Sequence, residues 1–213
     1  MPTFQEEKSI KETLITINDF LIDQKIDFEI IIVDDNSSDN TRVLVNEIIK
    51  SFNNVKFYLN NSKKGFGNSI VKGIEYSSGK LIAIMMADRS DSVEDLIAYY
   101  EFLMSNPSYD CVFGDRWIED NTTNYPLLKK VINRMGNKII SKLFMVGYTD
   151  FTNSFKMYKK QTLLKIFPII SNHFSITLEL PLKIITRGFK FKVIPNSWKN
   201  REHGVSKLRI INS

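Results

Sequence analysis

Phe28-Glu29-Ile30-Ile31-Ile32-Val33, running into Asp34-Asp35-Asn36-Ser37-Ser38-Asp39, is the stretch that decides the fold. A short run dominated by β-branched residues and closed by turn formers predicts a strand over 28–33, and a near-continuous apolar run marks one covered on both faces. A second edge repeats the pattern: Leu81-Ile82-Ala83-Ile84-Met85-Met86 predicts a strand over 81–86 that runs into Ala87-Asp88-Arg89-Ser90-Asp91. Carboxylates gathered at the carboxyl ends of neighbouring strands in an α/β sheet stand where such folds bind ligands. They suit a nucleotide and its metal.

Outward from these edges, helices and strands alternate. Ile10, Leu14, Ile17 and Leu21 recur at helical spacing over 8–23. A helix over 40–52, capped by Ser38 or Asp39, carries Val43, Leu44, Ile48 and Ile49, and a short strand follows at 55–59. Gly65 and Gly67 punctuate a turn before a helix that stops at Gly79; another helix spans 92–105, and short strands are expected at 110–113 and 190–194. The alternation predicts an α/β sandwich with a mainly parallel sheet. Met1-Pro2-Thr3-Phe4-Gln5-Glu6-Glu7 reads as the loop that leaves a first strand, so the first strand is expected to be missing from the sheet.

With 213 residues, 43% hydrophobic and 25% charged, the composition is that of one soluble globular domain. A single cysteine, Cys111, rules out an internal disulfide and fits a reducing cytoplasm. No apolar run of membrane-spanning length and no signal peptide is apparent. The net charge of +5 conceals an asymmetry: residues 1–110 hold 11 Lys/Arg against 18 Asp/Glu, whereas residues 111–213 hold 18 against 6. A metal and neutral groups suit the first half and anions the second. No zinc-finger spacing or single-strand stacking platform appears, so a nucleic-acid partner is not expected.

In order along the chain, Pro2-Thr3-Phe4-Gln5-Glu6-Glu7, Val33 to Thr41, Gly65-Phe66-Gly67 with Gly73 and Gly79, Ala87-Asp88, Gly114-Asp115-Arg116, and Gly204-Val205-Ser206-Lys207-Leu208 resemble glycosyltransferase family 2. The likeness is nearest to the dolichyl- or polyprenyl-phosphate sugar synthase branch and runs nearly the whole length. It implies a GT-A fold, a Rossmann-like three-layer sandwich with a mainly parallel mixed sheet, as one domain over 1–213. Residues 1–110 would be its nucleotide-sugar-binding half and 111–213 its acceptor-binding half. It further implies a GDP- or UDP-sugar donor, a divalent cation (Mg²⁺ or Mn²⁺), inversion at the anomeric carbon and a polyprenyl-phosphate acceptor. By the same resemblance Pro2, Glu6, Asp34, Asp35, Lys64 and Gly65 line the donor, and Arg116, Arg134, Arg201, Ser206 and Lys207 hold phosphates.

The side chains themselves leave alternatives open. Asp35 can accept from a base N–H or a ribose hydroxyl, or the Asp/Asn/Ser run can be a turn and capping cluster. Asp88 and Asp91 offer the hard oxygen ligands that Mg²⁺ and Mn²⁺ favour, but Met86 stands where the family places the first carboxylate of Asp-x-Asp, and a thioether is a poor ligand for a hard cation. Asp91 either substitutes for it or caps the helix that follows. Glu179, in Phe174-Ser175-Ile176-Thr177-Leu178-Glu179-Leu180-Pro181, is a candidate general base or a partner for a cation, at a helix start interrupted by Pro181. Over 127–145, Leu128, Val131, Ile132, Met135, Ile139 and Leu143 form an apolar stripe beside Lys130, Arg134, Lys138 and Lys142. That helix either covers the core or meets an anionic membrane surface, the latter making the protein peripheral to the inner face of the membrane. Two rival functions stand: transfer to a polysaccharide hydroxyl, and nucleotide-sugar binding without catalysis.

Overall fold

The computed structural model describes residues 1–61, 63–119 and 122–200. In chain order the elements are β1 (Pro2–Thr3), α1 (Ile10–Asp23), β2 (Ile30–Asp34), α2 (Thr41–Ile49), β3 (Val55–Leu59), α3 (Phe66–Tyr76), β4 (Leu81–Ile84) and α4 (Val93–Ser105). There follow β5 (Cys111–Asp115), β6 (Thr122–Thr123), α5 (Leu127–Leu143), β7 (Lys156–Lys159), α6 (Lys160–Lys165), α7 (Ile176–Thr186), β8 (Phe191–Pro195) and β9 (Trp198–Lys199). Strands order as β1-β2-β3 and β4-β7-β5-β8, with β6 paired to β9. The pairs β1·β2, β2·β3, β5·β8 and β6·β9 are parallel, and β7 lies antiparallel between β4 and β5.

Two features differ from the sequence reading. The first strand is present, although short: Pro2 and Thr3 pair in register with Val33 and Asp34, and Val33 N–H donates to the Met1 carbonyl at 3.0 Å. Their two residues hold too little periodicity to announce a strand. β7 was not expected either, because Lys156-Met157-Tyr158-Lys159 is flanked by lysines and continues directly into α6. Both Lys156 and Tyr158 are buried.

Strand side chains alternate faces, and the core divides accordingly. Val112 and Met157 join α1, α2 and α4 in one cluster, through Leu14, Val45 and Leu96. Cys111, Phe113 and Tyr158 point the other way, onto Ile74 of α3, Leu163 of α6 and Ile184 of α7. The result is the expected three-layer sandwich. α7 runs through Pro181 rather than starting again there. An interior proline costs roughly 3 kcal/mol, and burial of Ile176, Leu180 and Ile184, at about 1.5–3 kcal/mol each, outweighs it.

α5 inverts the usual amphipathic arrangement. Its buried residue is Asn137, whereas Leu128, Met135, Ile139 and Leu143 are 73%, 60%, 64% and 73% exposed. The helix is held by its polar side: Asn133 and Asn137 donate to Thr152 Oγ1 at 2.7 and 3.0 Å. The stripe does not cover the core.

Candidate active site

The site gathers at the carboxyl ends of β2, β4 and β5. Asp34 and Asp35 close β2, and the alternation of the strand sends them to different duties. Asp34 is fully buried; it accepts from Ser37 N–H at 3.0 Å, from the Ser37 hydroxyl, and from Arg42 Nε at 2.8 Å. Its oxygens are spent on the loop leading to α2. Asp35 is half-buried and accepts Gly65 N–H on both oxygens (3.0 and 2.9 Å) and Asn60 Nδ2 at 2.8 Å. Gly65 has φ 146°, which L side chains rarely adopt, and a Cβ there would stand 2.1 Å from the Asn172 carbonyl. Lys64 is exposed beside it.

Pro2 is buried in β1, and Glu6 lies in the loop that follows, where its Oε2 accepts the Ser9 hydroxyl at 3.0 Å. That loop is laced to 37–41: Gln5 N–H to Ser37 Oγ, Glu6 N–H to Thr41 Oγ1 (both 2.8 Å) and Glu7 N–H to Asp39 Oδ2 (3.2 Å).

The second edge follows β4, which ends at Ile84, two residues before the predicted end. Asp88 is buried and accepts Ser90 N–H at 3.2 Å. Asp91 does not cap α4; Ser92 does, accepting Glu94 N–H and Asp95 N–H at 3.1 and 3.2 Å. The Asp91 carboxylate turns back to accept Met86 N–H at 2.8 Å, which places it beside the residue where the family's first carboxylate is absent. Burial pushes its pKa up to about 7, against the Met86 hydrogen bond, and the Asp88 charge adds to the rise.

These two carboxylates pass the test of a divalent site in part. Both are hard oxygen donors, and burial together with the nearby Asp88 charge disfavours the ionised form of Asp91 in the absence of a cation. Among the described residues no group of three acidic, cysteine or histidine side chains is placed to enclose a metal. Two carboxylates suffice where substrate phosphates and water complete an octahedral ion.

The third edge follows β5. Asp115 accepts Trp117 N–H at 2.9 Å and Thr149 Oγ1 at 2.7 Å. Arg116 is buried and forms a two-pronged pair with Asp150, Nε and Nη2 each at 2.8 Å. Burial works against its cation, but Asp150 keeps it charged. Its guanidinium also lies over Trp117 and Tyr125, at 5.3 and 5.8 Å from the ring centres. Lys130 and Arg134 of α5 approach the same Trp117 ring at 5.6 and 5.8 Å. Tyr125 bridges Trp117 and Trp198, with centroids 5.2 and 4.8 Å apart. Trp117 Nε1 is buried and has no hydrogen-bond partner among the described residues. β9 brings this cluster to the metal edge, since Lys199 N–H donates to the Ser90 carbonyl at 3.1 Å.

Sequence reasoning brought Arg116 and Arg134 together but missed the aromatic members. Trp117 and Trp198 are the two tryptophans of the chain, each just beyond a predicted strand, and that was the available signal. Glu179 stands apart from the cluster: its carboxylate accepts Ile170 and Ser171 N–H at 2.9 and 2.7 Å and pairs with Lys183 at 2.6 Å. Burial alone would raise its pKa, but Lys183 and these amides hold it below the ordinary range. Arg201, Ser206 and Lys207 lie outside the described residues.

A mainly parallel three-layer sandwich with acidic strand ends is the architecture of the GT-A fold. The chain belongs to glycosyl transferase family 2, whose family model matches residues 1–167. It is 26% identical over 186 residues to the polyprenol monophosphomannose synthase of Mycolicibacterium smegmatis, covering 84% of this chain and 69% of that protein. It is 24% identical over 215 residues to the dolichol-phosphate mannosyltransferase of Pyrococcus furiosus, covering 98% of this chain and 58% of the other. The chain thus spans less than two thirds of that relative's length. Among solved structures, glucosyl-3-phosphoglycerate synthase from Mycobacterium tuberculosis, in complex with Mn²⁺ and UDP-glucose, superposes with a TM-score of 0.70 at 14% identity, over 97% of this chain and 70% of that one. At that identity the likeness speaks for the fold.

Proposed function

We propose that this glycosyltransferase moves a sugar, with inversion, from a GDP- or UDP-sugar to a polyprenyl phosphate at a membrane surface. The observation that carries the reading is the adjacency of the Asp88/Asp91 edge to a cationic aromatic cluster whose α5 member turns its apolar stripe outward. Asp35 receives the nucleoside, with Gly65 and Lys64 beside it. Asp88 and Asp91 would hold a divalent cation, Mg²⁺ or Mn²⁺, which would supply stabilisation of the charge that develops on the departing diphosphate. Arg134, Lys130 and Trp117 Nε1 bind and orient the acceptor phosphate. Arg116 acts chiefly as the charged floor of that cluster, because Asp150 takes two of its donors.

The acceptor phosphate oxygen attacks the anomeric carbon from the face opposite the diphosphate, so one C–O bond forms as the other breaks and the configuration inverts. That oxygen is already ionised and needs no base. A hydroxyl acceptor would need one, and Glu179 is committed to two amides and Lys183, which favours the phosphate.

No helix among the described residues is long and apolar enough to cross a membrane. The stripe of α5 and the cations flanking it suit the surface of an anionic leaflet instead, where each Lys or Arg contributes on the order of 1 kcal/mol. On this reading the leaflet it meets is the anionic inner one.

The test is transfer from radiolabelled GDP-mannose, UDP-glucose and related donors to a short polyprenyl phosphate, with and without Mn²⁺. Labelled lipid formed only with metal supports the reading; nucleotide binding without transfer to any lipid phosphate would sink it. Sedimentation with vesicles of 30% phosphatidylserine should fall about tenfold or more in Val131→Ser/Met135→Ser/Ile139→Ser, with thermal stability unchanged. Equal binding by that variant would remove α5 from the membrane contact.

A further inference from the structure

The segment between α6 and α7 has no secondary structure of its own, so its amides must find partners elsewhere. One carboxylate supplies them. Glu179, in the first turn of α7, accepts Ile170 N–H and Ser171 N–H at 2.9 and 2.7 Å, while Lys183 one turn on pairs with it and donates to the Pro168 carbonyl. The residues just after these press onto Gly65 and the first turn of α3. Gly67 and Asn68 N–H both donate to the Asn172 carbonyl, at 2.9 and 3.2 Å. The Phe66 and Phe174 rings pack with centroids 5.3 Å apart. The contact admits no side chain: a Cβ on Gly65 would stand 2.1 Å from Asn172 O, and one on Gly67 2.1 Å from Ser171 O. On its other side the same turn offers Gly65 N–H to both oxygens of Asp35, at 3.0 and 2.9 Å.

We propose that Glu179 is a positioning residue for nucleotide recognition: it fixes the 170–172 loop, the loop seats the Gly65-Phe66-Gly67 turn, and the turn aims Asp35 at the donor. The proposal rests on the donor-site reading above. It reassigns a carboxylate that the sequence offered as a general base, and it joins the carboxyl-terminal half of the chain to donor binding. Each link in the path is a direct hydrogen bond or a packed backbone contact, so loosening the first should be felt at the last. Charge matters at the first link, because an ionised carboxylate is the stronger acceptor for amide donors.

Three variants test it by calorimetry with GDP and UDP in Mn²⁺, and by steady-state transfer. Glu179→Ala should weaken binding of the nucleotide that the wild type prefers about tenfold and raise the donor KM in step. Glu179→Gln, which keeps one acceptor oxygen, should recover part of that loss. In both, kcat at saturating donor and the acceptor KM should stay within about twofold. In an Asp35→Asn background Glu179→Ala should add little, since residues that act through one another are not additive. Should Glu179→Ala fail to fold, Gly67→Ala disturbs the same contact from the other side and should produce the same rise in donor KM.

A collapse of kcat with unchanged nucleotide affinity would overturn the proposal in favour of a general base. Fully additive losses with Asp35→Asn, or unaltered nucleotide binding in the Glu179 variants, would overturn it in favour of a local structural role. If the wild type binds neither GDP nor UDP, the donor-site reading itself fails. If it binds one and Asp35→Asn binds it equally well, the path does not end at Asp35 and the positioning role is lost while the enzyme reading stands.

Discussion

The two acidic edges carry similar residues and live under opposite electrostatics. At the end of β2, Asp34 is buried, and the Ser37 amide, Ser37 hydroxyl and Arg42 together satisfy it; Asp35 beside it is held by Gly65 and Asn60. Beyond β4, Asp88 and Asp91 face each other's charge, and burial drives the Asp91 pKa up to about 7. The first edge is a finished piece of structure that presents one carboxylate. The second holds two acidic side chains close together, and burial with the neighbouring Asp88 charge raises the proton affinity of Asp91, a carboxylate that a cation could stabilise in its ionised form. Similar letters at similar strand ends therefore have different uses, and substitution separates them.

The largest effect is expected at the second edge. Asp88→Ala should lower metal-dependent transfer by about a thousandfold or more, equivalent to roughly 4 kcal/mol in the barrier, a loss larger than its cost in stability. Turnover preserved in the purified variant would remove Asp88 from the chemistry. Asp34→Ala should do the reverse. Losing a buried, fully bonded carboxylate strands the Ser37 groups, and chemical denaturation should reveal about 3 kcal/mol less stability. Arg42 is partly exposed and can turn to water, which keeps the cost at that level. A variant of full stability would mean that Asp34 serves the donor rather than the loop.

Much of this fold was legible from periodicity, and the exceptions have physical causes. The strand at 55–59 and the helices beginning near 66 and 93 lie where the apolar pattern put them, because each buries its stripe on a sheet face. α1 and α5 carry comparable stripes, yet Leu14 is buried and Leu143 is 73% exposed. Periodicity states that a helix has an apolar side; it does not say what covers that side. The site was legible as a set of carboxylates but not as an arrangement. Whether Asp91 caps α4 depended on Ser92 next to it, and the engagement of Glu179 depended on a loop that arrives from α6. Pairings such as Arg116 with Asp150 span 34 positions and are set by the fold, not by local spacing.

The smallest expected effect sharpens the contrast through pH. The folded pKa of Asp91 is raised from 3.8 to about 7, so between those values the native state binds more protons than the unfolded chain. Stability from this group must fall as pH rises through that window. Lys156 is also buried, and burial lowers its pKa to about 7, with the opposite consequence in a separate range: stability rises with pH between about 7 and 10.5. Asp91→Asn removes the first dependence. At pH 7.5 without metal the variant should be more stable than the wild type, on the order of 2 kcal/mol once solvent screening of a half-buried group is allowed for. At pH 4 the two should coincide. Mn²⁺ should raise the wild-type melting temperature at pH 7.5, where Asp91 is ionised, and do so far less at pH 5, where a proton competes for the carboxylate. It should raise that of Asp91→Asn little at either pH. Thermal unfolding across this grid reads all of these outcomes without any turnover assay. A wild type whose stability is flat between pH 4 and 7, with no metal response, would show the second edge to be as self-sufficient as the first.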